Sequence, residues 1–128
     1  MGIVSPVGST LDAAWKNVRD GNSGIVVLDE FDTSDYPTRI AGVVKDFDPD
    51  AYLPKKDQRK NDPFIHYAVG ASVEAIRDSG LEITEENGHR VGVALGAGIG
   101  GIKMIEEASL KLHNGGVRKV SPFFIPGS

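Results

Sequence analysis

Three observations predict an α/β fold for this chain. Extended, partly β-branched runs alternate with amphipathic runs of helical period. Glycine and proline punctuate the boundaries between them. Arg90–Leu95, Arg-Val-Gly-Val-Ala-Leu, is a short apolar run that opens into a glycine-rich turn and then into a second helix-like run.

Taken in order, Leu11, Ala14, Trp15 and Val18 share one helical face. Ser9 and Asp12 form a capping-box pattern ahead of them, and Gly21 is a natural stop. A helix is therefore predicted over about residues 10–20. Ile25–Leu28 reads as a short extended segment, Thr38–Val44 as a strand, and Asp46–Pro54 as a polar turn region. Asp62 followed by Pro63 has the form of an N-cap with proline at the first helical position. The helix it starts, Phe64–Ser79, ends at Gly80. Its expected buried stripe is small-sided, Ala68, Ala71, Ser72 and Ala75 with Gly70 beside it, which suits close packing at a central position. Thr84–Gly88 is a polar loop. Arg90–Leu95 is the strongest strand candidate, β-branched at Val91 and Val93. Gly101–His113 is predicted helical, with Ile102, Ile105 and Leu112 inward and Asn114-Gly115-Gly116 closing it.

The chain has 128 residues, enough for one domain with a modest core. A net charge of -4 argues against general nucleic-acid binding, which needs a basic surface. No apolar run approaches the roughly 20 residues of a membrane span, and the N-terminus lacks the basic start and apolar core of a signal peptide. There is no cysteine, which excludes disulfides, cysteine-ligated metal and a thiol nucleophile among these residues. That composition fits a cytoplasmic protein.

Gly96, Gly98 and Gly101 match G-x-G-x-x-G. A dinucleotide site also needs a second strand and an acidic ribose ligand about 20 residues on. The stretch Val117–Pro126 has neither Asp nor Glu and is broken by two prolines. Tight backbone packing is therefore the better reading of these glycines. Asp46, Asp48 and Asp50 imitate the start of a calcium loop, but Ala51 stands where the turn glycine should be and Asp57 where the bidentate Glu should be. They read as solvated turn carboxylates. His66, His89 and His113 show no metal spacing, and Glu106-Glu107 reads as a solvated helix face. No metal site is expected.

One charge cluster stands apart. Lys55-Lys56-Asp57-Gln58-Arg59-Lys60 holds four of the fourteen basic residues, and if helical it places all four on one side. Arg118-Lys119 forms a second pair. A basic patch on an acidic chain favours a negatively charged partner, an acidic protein or phosphate.

Taken together, these segments resemble the N-terminal part of the elongating β-ketoacyl-acyl carrier protein synthases, type II. The resemblance is carried by Gly2–Gly8, Phe31–Ser34, Ala41–Phe47, Asp57–Lys60, Asp78–Leu81, Gly98–Gly101, Asn114–Gly116 and Arg118–Phe124, in register over essentially the whole chain. It implies part of the N-terminal half of a thiolase-like fold, with residues 1–128 forming a partial ketoacyl-synthase domain. It also implies a decarboxylative Claisen condensation with no dissociable cofactor. In that family a cysteine accepts the acyl group from acyl carrier protein, and two histidines and a lysine assist the malonyl-carrier half-reaction. The resemblance places those four residues beyond Ser128 and the family's first strand before Met1, so no condensing activity is expected of the 128 residues alone. It also assigns Ile99 and Phe124 to the acyl pocket, and Lys56, Arg59, Lys60, Arg118 and Lys119 to docking of the acidic carrier. The intact family is homodimeric.

Overall fold

The computed structural model describes residues 1–128. Helix α1, Leu11–Arg19, starts at Thr10. Thr10 has the extended backbone of an N-cap (φ -136°, ψ 156°), and its hydroxyl accepts from the Ala13 N–H at 3.3 Å. This corrects the expectation that Ser9 caps with Asp12: Ser9 is buried instead. Ser5 and Gly8 exchange backbone hydrogen bonds at 3.0 Å, and Asn17 Nδ2 donates to the Val7 carbonyl at 2.8 Å. That turn is thereby fixed to α1.

Strands β1, Ile25–Val27, and β2, Ile40–Gly42, pair antiparallel with Val26 opposite Ala41. The strand expected over Thr38–Val44 is cut to three residues, because only these find ladder partners on β1. A further bond, Leu28 N–H to the Arg39 carbonyl at 2.9 Å, extends the pair.

The chain then winds through a tight turn at Pro49–Ala51 into the four-residue helix α2, Lys55–Gln58, and the 17-residue helix α3, Pro63–Ser79. Pro63 takes the first turn of α3, and Gly80 ends it in the left-handed region at φ 66°. An aromatic cluster seats the preceding segment on α3. Phe47 stacks on Tyr52 at 5.5 Å between centroids and meets Tyr67 edge-on at 5.2 Å. Gly70 permits this approach: a Cβ there would lie 2.6 Å from Phe47 Cε2. Gly70→Val should therefore destabilise a full-length protein by about 1–3 kcal/mol through overpacking. Chemical denaturation checks this, and an unchanged midpoint would show that the ring can move aside.

Helix α4, Ile102–Gly115, and the short helix α5, Phe124–Gly127, complete the chain. Three sequence expectations fail in this region and beside it. Arg90–Leu95 forms no strand: its residues have no ladder partner, and Val93 and Leu95 are 63% and 62% exposed. A strand exists only where a neighbour supplies hydrogen bonds, so apolar β-branched sequence is not sufficient. Ile102, Ile105 and Leu112 face outward from this chain rather than inward. On α3 only Gly70 is buried, while Ala68, Ala71, Ser72 and Ala75 are half-buried. No helix is long and apolar enough to cross a membrane.

Candidate functional site

Asp50 and Gln58 fix the α2 segment that carries the first basic cluster. Gln58 Nε2 donates to Asp50 Oδ1 at 2.8 Å and to the Leu53 carbonyl at 2.7 Å, and Lys55 pairs with Asp50 at 3.2 Å. The Gln58 amide, followed by Lys55, holds the Asp50 carboxyl below its ordinary 3.8. A carboxyl whose value is lower in the folded chain adds stability above its unfolded value and loses it as pH falls through the folded one. The tether is thus intact at neutral pH and loosens only below 3.8. An NMR titration of Asp50 in the full-length protein should give a midpoint below 3.8 that moves upward in Gln58→Leu. No upward movement would remove Gln58 as the main cause.

The cluster does not present four equivalent cations. Lys56 and Arg59 are exposed and form no ion pair. Lys60 is turned inward: its ammonium lies 3.4 Å from Asp57 and 4.9 Å from the centroid of the Phe123 ring. The second basic group, Arg118 and Lys119, sits in the tight turn Val117–Lys119 that follows α4. Gly115 leaves room for the Lys119 stem, whose Cγ would be 2.6 Å from a Cβ there.

The structure brings the two basic groups to the same helix. Arg59 and Phe124 line one groove together with Met104, Glu107, Ala108, Lys111 and Ser121. Lys119 lines a second with Leu110, Lys111, Asn114 and Gly115. A third, at the start of α4, is lined by Arg59, Asp62, His66, Lys103 and Glu107 among others. Lys103 and Lys111 had no signal in the sequence, because single lysines on a helix face resemble any solvated face.

Asp62 joins the ends of three elements. It is only 8% exposed, and its carboxylate accepts from the Met104 N–H in the first turn of α4 at 3.0 Å. Its own N–H donates to the Gly127 carbonyl at 2.9 Å. The sequence placed it correctly as the residue before α3, but its side chain caps α4 rather than α3. Gly101, which precedes α4, has no side chain to do so.

Ile99, in the glycine-rich turn, is 74% exposed and lines none of the three grooves. Within this chain the structure does not bring it together with Phe124. Of the motif glycines, Gly101 is closely packed, since a Cβ there would lie 3.0 Å from Asp62 Cβ; Gly96 and Gly98 face open space. The tight-packing reading therefore holds for one of the three. The remaining residues singled out in the sequence have local roles. His66 Nε2 meets the Gln58 carbonyl at 3.1 Å and must donate there, and Asp48 accepts from the Asp50 N–H at 2.9 Å.

The profile described as "Beta-ketoacyl synthase, N-terminal domain" matches residues 1–128. The chain belongs to the β-ketoacyl synthase family. It is 54% identical over 128 residues to a protein of Vibrio harveyi and 47% to one of Coxiella burnetii. With a Staphylococcus aureus protein the identity is 40% over 126 residues. All three are named 3-oxoacyl-[acyl-carrier-protein] synthase 2, and the alignments take in 98–100% of this chain and 31% of each relative. A solved structure, "The ishigamide ketosynthase/chain length factor", superposes with a TM-score of 0.71 at 25% identity, covering 97% of this chain and 31% of that one. The ketosynthase neighbour and the family match support a thiolase-like α/β fold. For this ketoacyl synthase segment the dinucleotide reading of the glycine turn is not favoured. No strand leads into the turn, and the helix terminus where a pyrophosphate would sit already holds the Asp62 carboxylate.

Proposed function

We propose that these residues are the N-terminal segment of a 3-oxoacyl-[acyl-carrier-protein] synthase of fatty-acid elongation, lacking the family's first strand and everything from the nucleophile onward. Its role is to dock the carrier and to shape part of the acyl pocket. The observation that carries this reading is the convergence of Arg59 and Lys119 on grooves of one helix, α4, on a chain whose net charge is -4. Opposite charge at such a rim steers encounter and sets its salt dependence. Lys56, Arg59, Lys60, Arg118 and Lys119 are the docking residues, with Lys60 also packed on Phe123. Ile99 and Phe124 border the acyl chain, Ile99 from a turn exposed enough to meet residues outside this segment. The 128 residues hold no cysteine, so the condensation takes its acyl-bearing thiol from another part of the synthase. The working enzyme is a cytoplasmic homodimer.

Two experiments on a full-length synthase containing these residues test the reading. Ile99→Phe should shorten the acyl chains accepted, and unchanged chain-length preference would refute the pocket role. Reversal of Lys56, Arg59 and Lys60 to Glu should weaken carrier binding about tenfold or more at low salt, with the difference shrinking as screening tightens. Equal affinity at low salt would remove the docking role.

A second reading, which the relatives do not favour, is a non-catalytic module that binds the acyl carrier protein. It requires the 128 residues to fold and to bind carrier by themselves.

A further inference from the structure

We infer that Lys111 is an additional carrier anchor that joins the two basic groups into one band, and that Glu107 is the internal carboxylate the carrier's acid displaces. This deepens the docking reading and rests on it. Lys111 lines both the groove of Arg59 and Phe124 and the groove of Lys119. No other residue lines both. At the far end of α4, Lys103 shares a third groove with Arg59. Lys103 and Lys111 stand eight positions apart, about 12 Å along the helix axis.

The band therefore runs Lys103, Arg59, Lys111, Lys119, with Arg118 beside it. Two carboxylates line these grooves, Asp62 and Glu107. Asp62 is buried and engaged with the Met104 N–H. Glu107 is exposed, lines both grooves that contain Arg59, and pairs with Lys111 one helical turn away at 3.2 Å.

The Lys111 and Glu107 side chains are 54% and 50% exposed. An exposed i,i+4 pair contributes little and is readily exchanged for another partner. Glu107 can thus hold the Lys111 ammonium over the band in the free protein and give it up to an incoming carboxylate. The partner that fits is an acidic protein surface whose carboxylates are spread over at least two helical turns, as the acidic carrier would present.

The test uses a full-length synthase and its acyl carrier protein, with affinity measured at low salt and at about 0.5 M salt, where screening acts within a few ångströms. Lys111→Glu should weaken binding about tenfold at low salt and match the unmodified protein at high salt. Glu107→Gln, which removes the competitor and keeps the shape, should tighten binding about two- to threefold at low salt. Lys16→Glu, a reversal on α1 away from these grooves, should change affinity far less than Lys111→Glu. Unchanged affinity in Lys111→Glu, alongside weakening by the reversal of Lys56, Arg59 and Lys60, would overturn the inference and leave the docking reading standing. Unchanged affinity in both would overturn the docking reading and Lys111 with it. Weaker binding in Glu107→Gln would show that Glu107 is a contact rather than a competitor and overturn that half of the inference.

Discussion

The 128 residues expressed by themselves should show no cooperative thermal transition. Their exposed surface is 9653 Å², whereas a folded monomer of 13.6 kDa exposes about 6,600 Å². Six residues are buried, and Ala14 is the one apolar side chain among them, so almost no hydrophobic burial opposes the entropy of ordering the chain. Backbone–backbone hydrogen bonds number 59, against about 90 expected for a domain of this length. Part of the shortfall lies in the stretch from Gly92 to Ile99, which contributes no backbone hydrogen bond outside regular structure and forms no helix or strand. The exposed apolar residues of that stretch, Val93, Leu95 and Ile99, continue onto α4 through Ile102, Ile105 and Leu112. Calorimetry and amide hydrogen exchange check the expectation: a broad, non-cooperative trace with rapid exchange throughout. A sharp transition with protected α3 amides would contradict it and would favour the carrier-binding module.

The same surface explains which parts of the fold were legible in the sequence. The starts and stops of α1, α3 and α4 were readable to within a few residues, because capping residues, Pro63 and the glycines after each helix act locally. The inward faces were not readable as inward here. Ile102, Ile105 and Leu112 repeat with a helical period and mark one face of α4, but no element of this chain covers it. Arg90–Leu95 is the same case in strand form: β-branched composition expresses a preference, and the ladder depends on a neighbour. The basic cluster was visible as a cluster, yet its division into the presented Lys56 and Arg59 and the inward Lys60 depends on Phe123, sixty-three positions away in the chain. Lys103 and Lys111 gave no signal, since their significance comes from what stands across the groove from them.

Asp62 is the sharpest example of a residue whose position was legible and whose partner was not, and its removal should have the second large effect. In a full-length synthase, Asp62→Ala should cost about 2–3 kcal/mol, the range for losing a hydrogen bond to a charged group together with a helix cap. The cost arises because the Met104 N–H, a first-turn donor of α4 with no intrahelical acceptor, loses its bond at a part-buried position. Asp62→Asn keeps an acceptor of the same shape but gives up the attraction between a negative charge and the positive end of the helix. It should cost only about 0.5–1 kcal/mol. Chemical denaturation of the two variants separates the contributions: a large gap between Ala and Asn means the acceptor itself holds α4 to the start of α3. Equal losses would mean the charge is what matters, and no loss in either would show that α4 is held by its remaining contacts alone.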